Sequence, residues 1–419
     1  MNAYLFLIGL CLIIIISFFT SMLAKKTNIP SVLMLIGLGV IIQEVLVRLD
    51  MEPNYYNSLE VLGIVGLIMI VLEAALDLEL KKEKWPIIWK SFVIAFFSLG
   101  LTSVAISIVI QFFLPDIEFL PALVYALPLS IMSSAIIIPS VGNLTPYKRE
   151  FMIYESTFSD ILGIMIFYTI VENLDTEGMR QLSFTIGGNI MITLIISLVL
   201  SYGLLYIIQN IKGEAKFFLF LAVLVLLYDI GKLFHLSSLI IILMFGLLLR
   251  NHKVLLFGKL EEWLIDASID KVYLQFKMIT AETSFLVRTF FFVVFGMTLP
   301  LMSLLSWKVW LVSMIFLIVT YVLRFGLFFV VEGKDTMPQT FIAPKGLITV
   351  LLFFAIPESL KTESFERGVL FVVIIATSVI MALALIAMSK GNKNDNVRGD
   401  SSEQTSKAEV VEIEEINLD

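Results

Sequence analysis

The stretch Tyr154-Glu155-Ser156-Thr157-Phe158-Ser159-Asp160 places two carboxylates inside an apolar run that extends from about Phe151 to Val171. An apolar run of about 20 residues is long enough to cross the hydrocarbon core of a bilayer. An ionised side chain near the middle of such a helix costs at least a few kcal/mol, so a carboxylate there is a candidate for function. The stretch therefore predicts a membrane helix with a polar site inside it.

The composition of the whole chain indicates an all-α polytopic membrane protein. The chain has 419 residues, of which 59% are hydrophobic and 16% are charged, and its mean hydropathy is +0.97. These values exclude a soluble domain of this length. Hydropathy predicts thirteen transmembrane helices, numbered here as segments 1 to 13, at residues 3–24, 30–49, 59–78, 87–114, 119–142, 150–172, 183–210, 216–235, 237–250, 280–300, 307–331, 340–357 and 366–389.

Several classes of function are disfavoured by what the sequence lacks. It shows no Gly-rich phosphate loop, no Cys/His set with metal-ligand spacing and no nucleophile constellation, so we expect neither an enzyme nor a cofactor. The net charge of −7 arises partly from an acidic C-terminal tail and indicates no nucleic-acid partner. We expect the lipid bilayer to surround the protein.

The basic residues predict how the chain is oriented. Most of the Lys and Arg residues lie in loops that follow odd-numbered segments, which places those loops in the cytoplasm. The N-terminus is then outside and the C-terminus inside a plasma (inner) membrane. Residues 1–390 form the predicted transmembrane domain, and residues 391–419 are too polar to build a core and are predicted to be a disordered cytoplasmic tail. The amphipathic stretch from Lys253 to Lys277 is predicted to lie at the membrane surface.

A weak internal repeat predicts inverted symmetry. Residues Val71 to Trp85 align without gaps to residues Val293 to Trp307, and the two copies end segments 3 and 10. Because the copies are seven segments apart, they cross the membrane in opposite directions. Segments 1–6 would then match segments 8–13, as in transporters whose sites lie near the midplane at broken helices.

Segments 5 and 12 are the predicted broken crossing helices. Segment 5 contains Pro139, which removes an N–H group and disfavours helix just before it. Segment 12 begins with Ala343-Pro344-Lys345-Gly346-Leu347. Unwound backbone at membrane depth needs protein or water to satisfy it, and two ordinary proline kinks are the alternative interpretation.

The two carboxylates of the opening stretch are predicted to have different partners. Helical spacing places Ser156 and Asp160 on one face with Thr157 beside them, and places Glu155 and Ser159 on the neighbouring face. Glu155 lies roughly 8 Å inside its segment. Arg324 of segment 11 lies roughly 10 Å inside from the same side, so we predict that the two form an ion pair. Lys345 lies at a similar depth and is the competing partner.

Asp160 and Glu73 are the remaining intramembrane acids of interest. Asp160 lies about 15 Å from the cytoplasmic end of its segment, close to the midplane, without an obvious basic partner. A carboxylate flanked by hydroxyl groups is suited to exchange a proton for a small cation, because oxygen atoms are the ligands of hard cations. Glu73 is either a further oxygen ligand or a helix-end residue that faces water near Asp77 and Glu79.

The motif Glu155-Ser156-x-x-Ser159-Asp160 resembles the Glu-Ser-x-x-Asn-Asp motif of NhaP-like sodium/proton antiporters, in the monovalent cation:proton antiporter superfamily. Segments 3, 10 and 12 are similar to the same family. The resemblance implies a thirteen-helix fold, a homodimer, and exchange of Na⁺ (or Li⁺ or K⁺) for H⁺. It further implies an elevator-like motion of core segments 3–6 and 10–13 against dimerisation and scaffold segments 1–2 and 7–9.

The resemblance also implies roles for single residues. Asp160 would be the carboxylate for which proton and cation compete, Ser156 a hydroxyl ligand, and Glu155 the acid that pairs with Arg324. Lys345 stands where the family usually has Arg and is a possible auxiliary charge. The complete predicted set of cation-binding residues is Asp160, Ser156, Thr157, Ser159, Glu73, Ser133, Ser134 and Ile137.

The sequence departs from the family motif at two places. Ser159 stands where the family has Asn, and Ile137-Ile138-Pro139 aligns with a Thr-Asp-Pro of the family, so the Asp is absent. Ser133 and Ser134 are the candidates to replace it, as in potassium-efflux relatives. A single exchangeable carboxylate predicts electroneutral exchange, and a potassium-efflux-type system or channel on the same fold is the alternative.

Overall fold

A computed structural model describes residues 3–27, 31–48, 56–172, 192, 195–206, 219, 222–226, 228, 238–252, 267–298, 304–333, 336–362 and 365–387. Every regular element in these ranges is helical. The α-helices are α1 (Ala3–Thr27), α2 (Ser31–Arg48), α3 (Tyr56–Asp77), α4 (Trp85–Phe113), α5 (Phe119–Ser130), α6 (Ser134–Ser140), α7 (Pro146–Glu172), α8 (Ile195–Tyr206), α9 (Ser238–Arg250), α10 (Ala267–Met297), α11 (Trp307–Glu332), α12 (Leu347–Phe354) and α13 (Gly368–Ala387).

Seven spans within the described ranges are long and apolar enough to cross a membrane. The predicted all-helical membrane fold is therefore present. The count of thirteen transmembrane segments stays a prediction, because most of segments 7 and 8 lies outside the described residues. The predicted tail at residues 391–419 also lies outside them.

Helices α4 and α11 form an antiparallel pair with an apolar outer face. Lys90, near the start of α4, contacts Glu332 at the end of α11, with 3.0 Å between Nζ and Oε1. Trp85 at the start of α4 and Trp307 at the start of α11 are both exposed, so the two indoles lie at opposite ends of the pair. Trp residues at both ends of an apolar face are typical of the two membrane–water interfaces.

Helices α3 and α10, in which the two copies of the repeat begin, are also antiparallel. Two ion pairs set this direction, namely Glu73 with Arg288 and Asp77 with Lys277. Helix α10 begins at Ala267, so residues 267–277 of the predicted surface stretch belong to this helix, and Lys277 is paired with Asp77 of α3. The location of the stretch at the membrane surface stays a prediction. The opposite directions of α3 and α10 agree with the inverted repeat.

Helices α2 and α10 cross at direct backbone contact. A Cβ atom added to Gly39 would lie 2.1 Å from the Val293 carbonyl oxygen, and one added to Gly296 would lie 2.3 Å from the Ile36 carbonyl oxygen. Small residues at such a crossing let two membrane helices pack closely. Helix α7 lies at the centre of the bundle and packs against α3, α4, α5, α6, α9 and α12. The buried polar side chains of α7 therefore lie at the centre of the bundle, where the candidate functional site is described below.

Candidate functional site

Two interrupted helices cross beside α7. Between α5 and α6, the backbone at 131–133 is extended, and between a 3-10 turn at Gln339–Phe341 and α12, residues 342–346 are not helical. The two extended segments touch, because the Ser133 N–H donates to the Pro344 carbonyl oxygen at 2.9 Å. A Cβ atom added to Gly346 would lie 2.5 Å from Ser133 Oγ, so the crossing requires glycine there.

The interruption in segment 5 lies earlier than the sequence predicts. Pro139 is inside α6, and the chain leaves the helical conformation at Ile131, after Ser130. The position is set by tertiary partners of the backbone. Ser159 Oγ accepts a hydrogen bond from the Met132 N–H at 3.0 Å, and Pro344 accepts one from the next residue. Helical hydrogen bonds are thus replaced by bonds to α7 and to the crossing segment.

Asp160 accepts a hydrogen bond from the first N–H group of α6. Its Oδ2 accepts a hydrogen bond from the Ser134 N–H at 3.0 Å, and its side chain is 1% exposed. A carboxylate at a helix N-terminus compensates the unpaired N–H groups and the positive end of the helix dipole. Asp160 Oδ1 is buried and has no hydrogen-bond partner among the described residues. One oxygen of this carboxylate is therefore available to bind a proton or a cation.

A small cavity of about 10 Å³ borders Asp160. Its other described lining residues are apolar side chains of α3, α7, α9 and α12. Ile70, Val71 and Ala74 of α3 form one wall, and Ile348 of α12 belongs to another. Asp160 is the single ionisable group among the described residues of this lining, so charge entering the cavity meets this carboxylate.

The hydroxyl groups of Ser156, Thr157 and Ser159 make different hydrogen bonds. Ser156 Oγ and Thr157 Oγ1 donate to the Ile153 carbonyl oxygen of their own helix, at 3.2 and 2.8 Å. Such bonds are common for Ser and Thr in helices and leave the lone pairs of the hydroxyl oxygens available. Ser159 instead holds the extended backbone through Met132. Ser159 therefore positions the residues that precede the N-terminus of α6.

Glu155 and Arg324 are in direct contact, as their similar depths predict. Arg324 Nη1 donates to Glu155 Oε1 at 2.6 Å, and Nη2 donates to Oε2 at 3.4 Å. The two side chains are 0% and 1% exposed. A buried ion pair needs such complete geometry, because each charge alone is strongly destabilised by desolvation.

Arg324 also holds the interrupted segment 12, which sequence reasoning missed. Its guanidinium donates to the carbonyl oxygens of Gln339, Thr340 and Ile342 at 3.0, 3.2 and 3.2 Å. These carbonyls lie at the end of the 3-10 turn, where a cation stabilises the unpaired acceptors. The available signal was the turn residues Pro338 and Pro344, which flank backbone that needs an external donor.

Lys345 is buried, but it does not pair with Glu155. Its Nζ donates to the Ser130 carbonyl oxygen, the last of α5, at 2.8 Å, and it forms no ion pair within the described ranges. Its backbone N–H donates to Thr377 Oγ1 of α13 at 3.0 Å. The ammonium group therefore stabilises the negative end of one half-helix, while Asp160 stabilises the positive end of the next.

Two predicted cation ligands are not placed at the site by the structure. Ile137 lies inside α6, where its carbonyl oxygen accepts a hydrogen bond from the Val141 N–H. Glu73 is held by Arg288, with 3.1 Å between Oε1 and Nη2, and it is not among the described lining residues of the cavity. The structure therefore places Glu73 in an ion pair with α10 and outside the described cavity lining, and its part in cation binding stays a prediction.

The described ranges contain no group of three or more His, Cys, Asp and Glu residues that could hold a metal ion. Among the described residues, the site consists of one carboxylate oxygen of Asp160 that has no hydrogen-bond partner and lies in an apolar cavity. Beside it lie the C-terminal end of α5, which Lys345 stabilises, and the N-terminal end of α6, which Asp160 itself stabilises. A weakly held hard cation suits this arrangement, since it can be replaced by a proton at the same oxygen. The fold and the site therefore define a membrane transporter with interrupted helices.

Comparisons with known proteins give the family. A model described as the sodium/hydrogen exchanger, transmembrane, matches residues 13–390, and the chain therefore belongs to this family. The resemblance to the cation:proton antiporter superfamily is confirmed. A structure of the sodium proton antiporter MjNhaP1 from Methanocaldococcus jannaschii at pH 8 is similar with a TM-score of 0.67 and 19% identity, over 92% of this chain and 99% of that chain.

A second structure of MjNhaP1, from electron microscopy, is similar with a TM-score of 0.61 and 18% identity, over 93% of this chain and 97% of that chain. At these identities the likeness shows the fold. A comparison with curated protein sequences found no match.

Proposed function

We propose that the protein exchanges Na⁺, or Li⁺ or K⁺, for H⁺ across the membrane, with proton and cation competing for Asp160. The observation that carries this proposal is the buried Asp160 carboxylate, of which Oδ2 is held by the Ser134 N–H and Oδ1 has no partner among the described residues. A proton on Oδ1 and a cation against it would each relieve the same buried charge, so the two bind in turn. Membership of the sodium/hydrogen exchanger family supports this chemistry.

Oxygen ligands for the cation are close in sequence and in the fold. Asp160 supplies the charge, and Ser156 and Thr157 on the same helix supply hydroxyl lone pairs. Ser133 and Ser134, at the start of α6, are further candidates. Ser159 acts on the backbone and contributes through position.

Electroneutral exchange is part of the proposal. The described cavity lining holds one carboxylate, Asp160, and Glu155 is neutralised by Arg324. One exchangeable negative charge carries either one proton or one monovalent cation in each cycle. The proposed motion is an elevator-type movement of core segments 3–6 and 10–13 against scaffold segments 1–2 and 7–9, in a homodimer with its N-terminus outside the plasma membrane.

Purified protein in proteoliposomes with an imposed pH gradient and a pH-sensitive dye tests the proposal. Addition of Na⁺, Li⁺ or K⁺ should dissipate the gradient, with no change in membrane potential in a parallel voltage-dye measurement. No response to any of the three cations would contradict cation:proton exchange. Cation flux without proton movement would instead support a potassium-efflux-type system or channel, and a sodium-driven potential would refute electroneutrality.

A further inference from the structure

Helix α3 presents two different edges to its neighbours. Ile70, Val71 and Ala74 line the cavity at Asp160, whereas Glu73 and Asp77 face α10. At 3.6 residues per turn, the centres of these two groups lie about 90° apart around the helix. If α3 moves as a rigid helix away from α10 while α7 stays in place, the apolar wall is displaced relative to Asp160.

The charged edge is fixed to α10 by two ion pairs. Glu73 Oε1 lies 3.1 Å from Arg288 Nη2, and Asp77 Oδ1 lies 2.7 Å from Lys277 Nζ. Lys277 and Arg288 are eleven residues apart, which is about three helical turns, so both lie on one face of α10. The Glu73 and Arg288 side chains are only 20% and 22% exposed, which limits screening by water.

The seam, which is the part of the α3–α10 contact between the two ion pairs, contains a buried hydroxyl group that is not satisfied. Thr280 lies between Lys277 and Arg288 on α10, it is fully buried, and its hydroxyl oxygen has no hydrogen-bond partner among the described residues. A shift of the seam that gave this hydroxyl a partner would add a hydrogen bond, so the seam is suited to exist in two arrangements.

We propose that Glu73 and Arg288, assisted by Asp77 and Lys277, are positioning residues that hold the α3 wall closed over Asp160. These two ion pairs are here called the clamp. When the clamp breaks, Ile70, Val71 and Ala74 move away from the carboxylate and the cavity opens to water. The clamp acts on access to Asp160 and contributes no ligand to it. The importance of that access rests on the function proposed above, whereas the movement of the wall does not.

Thiol labelling measures the opening of the wall without a transport assay. Cys11 is the single cysteine of the chain, so Cys11→Ala gives a background without thiols. Ala74→Cys then places one thiol in the wall, and its reaction with a membrane-impermeant methanethiosulfonate is followed in proteoliposomes. Arg288→Gln should accelerate labelling about tenfold, the change expected when roughly 1.4 kcal/mol of closing free energy is lost.

Two further variants separate the clamp from general loosening. The exchanged pair Glu73→Arg with Arg288→Glu restores opposite charges and should return labelling to the parent rate. Lys361→Gln breaks the surface pair with Glu358 and should leave the rate unchanged. If Arg288→Gln is not monodisperse after purification, Lys277→Gln breaks the second pair of the seam and should accelerate labelling to a smaller extent.

Labelling of Arg288→Gln at the parent rate would overturn the proposal, and so would an exchanged pair that labels as fast as Arg288→Gln. Because the readout requires no cation gradient, a failure of the clamp is distinguishable from a failure of sodium/proton exchange. A protein that transports no cation but shows the labelling pattern would refute the proposed function and leave the clamp in place.

Discussion

Glu155 and Asp160 are five residues apart on α7 and are buried to the same extent, yet their surroundings differ. Both oxygens of Glu155 accept hydrogen bonds from Arg324, which is itself bound to three carbonyl oxygens. Asp160 receives one backbone hydrogen bond and has one oxygen without a partner in the described residues. We therefore attribute the different roles proposed for the two carboxylates, stabilising the fold and exchanging a counter-ion, to their hydrogen-bond partners and not to the extent of their burial.

The largest expected effect concerns Asp160. Asp160→Asn should abolish cation-dependent proton movement in proteoliposomes, because an amide cannot alternate between a proton and a cation. Thermal stability should stay equal or rise slightly, since the amide oxygen still accepts the Ser134 N–H and a buried charge is removed. Gradient dissipation at wild-type rate would show that another group carries the proton.

Glu155→Gln should show the opposite pattern. It leaves Arg324 buried without its counter-ion, so the free energy of unfolding should fall by about 3–5 kcal/mol. Thermal unfolding in detergent measures the loss, with Asp160→Asn as the matched variant in the same helix. Equal destabilisation by the two variants would refute the division of roles between the two carboxylates.

The crossing of the interrupted helices depends on Gly346. Gly346→Ala places a Cβ atom 2.5 Å from Ser133 Oγ and should reduce stability by about 1–3 kcal/mol, together with the rate of exchange. Gly326→Ala is the control, because a Cβ atom there has no atom within 4 Å. Wild-type exchange and stability in Gly346→Ala would show that the two extended segments can separate freely.

A smaller effect is expected at Ser159. Ser159→Ala removes the acceptor of the buried Met132 N–H and should cost about 1 kcal/mol, with slower exchange, because the start of α6 is less firmly positioned. Ser156→Ala loses only a bond to its own helix and should change stability by less. If Ser156→Ala destabilises the protein more than Ser159→Ala, the assignment of Ser159 as the positioning residue is wrong.

The sequence predicted the parts of the site that depend on helical geometry. Because the rise per residue is fixed, the depths of Glu155 and Arg324 could be compared before their contact was known. The same reasoning placed Asp160 near the midplane without a basic partner. Hydropathy likewise predicted the helical membrane fold, since long apolar runs need little tertiary information.

The remaining features depend on contacts between distant segments. The interruption at 131–133 is set by Ser159 and Pro344, and no local signal in segment 5 marks it. The partner of Glu73, Arg288, lies inside predicted segment 10, but nothing local in the sequence shows that this face of α10 packs against α3. Depth made Lys345 the competing partner of Glu155, whereas its Nζ donates to the carbonyl oxygen of Ser130.

Proton release on cation binding tests the central claim most directly. Detergent-solubilised protein in weakly buffered solution is mixed with NaCl or LiCl, and the released protons are measured with a pH-sensitive dye against choline chloride as the control. Competition at Asp160 predicts one proton released for each cation bound by the wild type, and none by Asp160→Asn. Cation binding without proton release in the wild type, or undiminished release in Asp160→Asn, would contradict it.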